Sequence, residues 1–144
     1  MRTRGGDVRT PRVAILGLAF KGRPETSDLR GSMAYPLIRS LKAAMPDAVI
    51  VGYDPTVHAH EAITLGIALA RSPEEAFAGA HACVFQTNHR SFEGLSLGRL
   101  SELMAPSGLI YDYWNQFVRN QHRLANEVRS VSYTHLTLPT IYSV

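Results

Sequence analysis

Cysteine is almost absent: Cys83 is the single one in 144 residues. That excludes an internal disulfide framework and any cysteine-rich metal site, and it fits a reducing compartment, so we expect a cytoplasmic protein. Long apolar runs are missing too. None approaches the roughly 18 residues a bilayer crossing needs, and Met1 is followed by Arg2 and Arg4 without an apolar signal core. No membrane partner is expected. Charged residues are only 19% and aromatics 8% of the chain, a globular balance without the bias of disorder, collagen or coiled coil. The net charge of +3 is confined to one end, where Arg2, Arg4, Arg9 and Arg12 face a single acid, Asp7. Residues 1–11 therefore read as a flexible basic leader. The body lacks interleaved aromatics and a basic helical face, so nucleic acid is not an expected partner.

What is present is 45% hydrophobic content, enough for the core of one domain, since single domains usually run to ~100–200 residues. The pattern becomes regular at Arg12. Val13-Ala14-Ile15-Leu16 is a short apolar run closed by Gly17, which reads as a buried strand. Ser32 then stands before Met33, Leu37, Ile38 and Leu41, with Lys42 near the end and Pro46 beyond, the marks of a capped amphipathic helix. The unit repeats: Val49-Ile50-Val51-Gly52-Tyr53 is a second strand, stopped by Asp54-Pro55, and His58 to Leu65 is a helical pattern closed by Gly66. Ile67 to Ala70 gives a third strand. Ser72-Pro73-Glu74-Glu75 opens a helix, and Ala82 to Gln86 gives a fourth strand. Leu97, Leu100, Leu103 and Met104 make a helical stripe before a fifth strand, Gly108 to Asp112. Strands alternating with helices of roughly ten residues predict an α/β fold: a Rossmann-like three-layer sandwich around a mostly parallel sheet of about five strands.

The end of the chain departs from this. Val131 to Val144 holds no Lys, Arg, Asp or Glu and follows no period the preceding domain needs. The run from Val131 to Thr140 is similar to the translation of a transposase-type sequencing adapter. The division expected is leader 1–11, domain 12–129 and a non-native, adapter-derived tail 130–144.

In open α/β sheets ligands sit outside the carboxyl ends of the strands, so the informative positions are Gly17 to Arg30, Asp54-Pro55, Gln86 to Arg90 and Asp112 to Asn115. The first loop has neither the Gly-x-Gly-x-x-Gly dinucleotide fingerprint nor a phosphate loop's Gly-Lys-Ser/Thr ending, because Gly17 and Gly22 stand alone. A primary NAD site in this domain is not expected. The loop does carry Lys21, Arg23 and Arg30 beside Glu25 and Asp28, a mixture suited either to phosphate or to local ion pairs in solvent.

Gly17-Leu18-Ala19-Phe20-Lys21, a polar loop, Asp28-Leu29-Arg30-Gly31-Ser32, a helix and then Tyr53-Asp54-Pro55 together resemble the C-terminal domain of the UDP-glucose/GDP-mannose dehydrogenase family, from about Arg12 to Phe117. The resemblance implies the UDP-binding part of a nucleotide-sugar 6-dehydrogenase, which oxidises the sugar C6 alcohol to a carboxylate in two NAD-dependent steps. In that family NAD is held mainly by an N-terminal Rossmann domain, a cysteine elsewhere forms the covalent intermediate, and the full-length enzyme is a homodimer or higher homo-oligomer. This sequence would hold only the last domain and would not turn over alone. Carried over position by position, Phe20 and Lys21 meet the UDP-sugar substrate and Arg30 reaches toward the NAD cofactor. Asp28 fixes the loop or Arg30. Asp54 is a turn former before Pro55 in preference to a ribose-binding acid. Where the family often has Asp-Gly-Arg-Asn, this chain has Asp112-Tyr113-Trp114-Asn115, so Trp114 occupies the arginine's place and either stacks on the nucleotide or packs as core.

Cys83, inside a buried strand, reads as core filling and not as a nucleophile. His89 reads as a surface-loop histidine, and His58 and His60 lack the partner set of a zinc site. A competing reading of another class is a free-standing Rossmann-like nucleotide-binding or regulatory module without catalysis. A response-regulator-like domain would need clustered acids after the first strand, where Leu18 to Lys21 stand instead.

Overall fold

The computed structural model describes residues 2–3, 6–7, 10–19, 28–60, 62–114, 116–117 and 124–132. The first regular element is a two-rung antiparallel ladder between β1 (Arg2–Thr3) and β2 (Gly6–Asp7). The stretch read as a basic leader thus carries a short ladder. Its ladder is separate from the main sheet, and a lone two-stranded hairpin is marginal in water.

The main sheet has six strands: β3 (Arg12–Leu16), β4 (Val49–Tyr53), β5 (Ala68–Leu69), β6 (Ala82–Phe85), β7 (Leu109–Asp112) and β8 (Arg129–Ser132). Their order is β5-β4-β3-β6-β7-β8, and every pairing is parallel. The chain starts in the middle, builds outward to β5, crosses back and builds outward to β8. This is the doubly wound order, and it places a topological switch point between β3 and β6.

Strand β8 is the sixth, where about five were expected. It lies across the boundary anticipated after Arg129, and its register with β7 runs from Leu109↔Arg129 to Asp112↔Ser132. The reason it escapes the pattern is physical: Arg129-Ser130-Val131-Ser132 has no apolar run, and the strand is held by backbone bonds at an edge, behind the buried Val128. Residues 133–144 lie outside the described residues.

Alternation along the strands divides the core into two layers. Ala14, Leu16, Cys83, Phe85 and Ile110 point to the side covered by α2 (Pro73–Phe77) and α3 (Leu97–Ser101), where they meet Phe77, Leu97, Leu100 and Met104. Ile15 and Ile50 point to the side covered by α1 (Ala34–Ala44), with Ala34 and Ile38. The first layer is organised around Phe85, whose ring lies 4.5 Å from Phe117, 5.3 Å from Phe92 and 6.0 Å from Phe77, centroid to centroid.

The helices are shorter than their patterns suggested. Only α1 reaches 11 residues, while α2 and α3 have 5 each. Ser72 accepts from the Glu75 amide as the expected cap, but α2 stops before Gly79, which takes a φ of +70°. The stretch His58 to Leu65 yields a single 3₁₀ turn, Ala62–Leu65, before Gly66 at φ +70°. Ser32 caps as anticipated, one residue earlier than a standard cap: its Oγ accepts from the Ala34 amide at 3.0 Å and donates to the Leu18 carbonyl at 2.6 Å. That pair of bonds ties the start of α1 to the chain leaving β3. Among the described residues no helix is long and apolar enough to cross a membrane.

Candidate functional site

The carboxyl ends of β3, β4, β6 and β7 are stitched together by side chains from the residues that follow each strand. Gly17 leaves β3 with φ +94° and donates its amide to the Tyr53 carbonyl at 2.7 Å. Its own carbonyl accepts from Gln86 Nε2 at 2.9 Å. Gln86, at the end of β6, is buried, and its carbonyl accepts from the indole Nε1 of Trp114 at 3.0 Å. Gln116 Nε2 donates to the Thr87 carbonyl at 3.0 Å. The four strand ends therefore form one hydrogen-bonded rim around the switch point.

Trp114 owes its place to Asp112. The Asp112 carboxylate is fully buried, and accepts from the Trp114 amide through Oδ1 at 3.1 Å and from the Phe117 amide through Oδ2 at 3.0 Å, a side-chain turn that reverses the chain after β7. Trp114 itself remains 51% exposed. It is not a core residue: the indole is anchored by its edge and keeps a face toward solvent. Beside it, Tyr113 packs edge-on against Tyr111 at 4.9 Å, and burial together with Tyr111 pushes its phenol up and keeps it neutral.

Asp54 proves more than a turn former. Oδ1 accepts from the Thr56 amide and hydroxyl, both at 2.9 Å, and from the Val57 amide at 3.3 Å, which is the expected turn. Oδ2 reaches across to β3's loop and accepts from the Leu18 amide at 2.7 Å and the Ala19 amide at 3.0 Å. Phe20 and Lys21, the next residues in sequence, lie outside the described residues.

Arg30 is where the loop returns. Its guanidinium donates from Nε and Nη2 to the two oxygens of Asp28, at 3.1 and 3.0 Å, and its amide donates to Asp28 Oδ1 at 2.9 Å. The bonds from Arg30 hold the Asp28 carboxyl below its usual range. The Arg30 side chain is 91% exposed, so Asp28 sets its direction without hiding its charge.

His89 differs from its sequence reading. It is 5% exposed, because its Nδ1 turns back to accept from the Ser91 amide at 3.0 Å and caps the 3₁₀ turn Arg90–Gly94, with its ring 5.9 Å from that of Phe92. Cys83 is fully buried on β6, and burial pushes its thiol far up, which suits packing and not attack. Sequence reasoning marked Gln86 to Arg90 as a strand-end loop but gave no signal for the stitching roles of Gln86, Thr87 and Gln116, which depend on a neighbour 28 or more residues away.

Three comparisons bear on this geometry. The model of the UDP-glucose/GDP-mannose dehydrogenase family, UDP binding domain, matches residues 14–119. A UDP-glucose 6-dehydrogenase of Rhizobium meliloti is 36% identical over 118 residues, 81% of this chain and 26% of the relative. The UDP-glucose 6-dehydrogenase AglM of Haloferax volcanii is 42% identical over 91 residues, 62% of this chain and 20% of the relative. Among solved structures, a UDP-D-ManNAc dehydrogenase from Pyrococcus horikoshii superimposes with a TM-score of 0.60 at 25% identity, covering 85% of this chain and 26% of that one. The chain spans about a quarter of the length of the relatives it matches. With the motif Gly17 to Ser32, the Tyr53-Asp54-Pro55 strand end and the doubly wound sheet in agreement, the chain belongs to the UDP-glucose/GDP-mannose dehydrogenase family and carries its UDP binding domain.

Proposed function

We propose that the rim at the carboxyl ends of β3 and β6 binds the UDP part of a UDP-sugar, and that the chain is the substrate-nucleotide portion of an NAD-dependent 6-dehydrogenase that oxidises a UDP-hexose or UDP-N-acetylhexosamine to the uronate. The observation that carries this reading is the coincidence of the family motif with the switch point, the place where open α/β sheets take ligands.

Lys21 supplies charge to the diphosphate and Phe20 an apolar face to the hexose beyond it. Trp114, half-exposed and held by its edge, offers a ring face to the uracil. Arg30, exposed and aimed by Asp28, is assigned to a cofactor held by another domain. The described residues do not form a primary NAD site. The acid at the end of the second strand, which would take ribose hydroxyls, has both oxygens occupied by protein donors. The chain alone is accordingly inactive, and the complete cytoplasmic enzyme assembles as a homodimer or larger.

Calorimetric titration of UDP into this chain tests the reading. Saturable binding supports it, with affinity lowered by Lys21→Ala. Absence of heat at millimolar UDP overturns the assignment of the nucleotide to this rim.

A further inference from the structure

Two consecutive backbone amides that converge on one point form a cradle for an anion, the device by which nucleotide folds hold phosphate without side chains. In this protein the amides of Leu18 and Ala19 make such a cradle directly after β3, and its occupant is internal: Asp54 Oδ2, at 2.7 and 3.0 Å. Leu18 and Ala19 are 0% and 1% exposed, so without the carboxylate these two donors would be buried and unsatisfied. The other oxygen, Oδ1, is taken by Thr56 and Val57. Five donors on one carboxylate exceed its roughly four lone-pair sites, leaving nothing for a ribose or a water.

We propose that Asp54 is a positioning residue for nucleotide binding: it clamps the stem of the loop that runs into Phe20 and Lys21 onto the end of β4, and so sets where the loop's cation meets the diphosphate without touching the ligand. This rests on the reading that Lys21 faces the diphosphate. The role demands a carboxylate. An amide of the same shape has one acceptor and one donor end, and whichever way it turns its NH2 opposes amide hydrogens, either those of Leu18 and Ala19 or those of Thr56 and Val57.

The test is calorimetric titration of UDP and of uridine into the wild-type chain, Asp54→Asn and Thr56→Val, with NMR amide exchange at Leu18 and Ala19. We expect Asp54→Asn to weaken UDP by about tenfold or more, in line with the cost of small misplacements. Uridine affinity should hold within about twofold, because uridine has no phosphate for the loop to meet. The Leu18 and Ala19 amides should exchange faster in this variant. Thr56→Val removes the hydroxyl bond to Oδ1, keeps the bonds of Oδ2 to Leu18 and Ala19 and should bind UDP as the wild type does. Should Asp54→Asn not fold, Asp54→Glu keeps the charge on a longer arm, and the same two titrations decide.

Equal UDP affinity in wild type and the Asp54 variant overturns the positioning role and leaves the site reading intact; so does a parallel fall for UDP and uridine. Rapid exchange of Leu18 and Ala19 in the wild type overturns the clamp itself. Failure of the wild type to bind UDP overturns the reading of the site and the positioning role together.

Discussion

Gly17 and Thr87 stand so close across the switch point that residue 17 has no room for a side chain. A Cβ built there would lie 2.8 Å from the Thr87 amide nitrogen and 2.9 Å from its Cβ, and the backbone already sits at φ +94°. The two residues lie just beyond β3 and β6, the central neighbours of the sheet, so this contact sets how tightly the rim closes. Gly17→Ala combines left-handed strain with a backbone clash, and we expect a loss of about 3 kcal/mol, read as a lower urea midpoint at unchanged slope.

Trp114 separates a packing role from a ligand role by the size of two effects. Its half-exposed ring predicts that Trp114→Phe, which removes only the bond to the Gln86 carbonyl, costs about 1 kcal/mol of stability. Trp114→Ala should weaken UDP by about tenfold, the scale of one base stacked on an aromatic ring, while Trp114→Phe retains most of the affinity. Unchanged UDP binding in Trp114→Ala would remove the residue from the nucleotide site.

Phe85 is the keystone of the layer beneath α2 and α3. It is fully buried and touches three other phenyl rings. Phe85→Ala should cost about 3–5 kcal/mol, measured by denaturant unfolding. Because no polar bond at the rim uses its side chain, any UDP binding that survives in the folded fraction should keep the wild-type affinity.

Cys83 gives a prediction in pH. Burial raises the thiol's pKa in the folded state above its unfolded value, so the neutral thiol favours the fold at every pH below the ordinary thiol range. That contribution is lost progressively as pH rises beyond it, because the unfolded chain then ionises while the folded one does not. The urea midpoint should fall on moving from neutral to strongly alkaline pH, and Cys83→Ala should flatten that trend. Iodoacetamide at neutral pH should label Cys83 only when denaturant is added, detected as a mass increase.

Much of this architecture is written in short apolar runs. The strands at Val13 to Leu16, Val49 to Tyr53 and Ala82 to Phe85 declare themselves because a parallel strand is buried on both faces and needs continuous apolar residues. Strand β8 does not, since an edge strand is held by its backbone and tolerates Arg129 and two serines. Helix length is less legible, because the apolar period of Leu97 to Met104 continues into a turn that buries Met104 without extending α3 beyond Ser101. At the strand ends, motif order marks the loop after β3, of which residues 20–27 lie outside the described residues. The double use of Asp54, the burial of His89 and the Gln86–Trp114 bond are contacts between distant segments, and local pattern carries no trace of them.

The strand order also has a temporal side. Of the strands in the main sheet, β3 is synthesised first, but it lies at the centre of the finished sheet, between β4 and β6. A nascent chain that has reached Ala70 can already pair β3, β4 and β5, yet the other flank of β3 then presents a raw parallel edge until β6 arrives, and the sheet is not closed off until Ser132. Synthesis halted between those points leaves a half-sheet with an open flank, the species from which strand mispairing and chaperone capture begin.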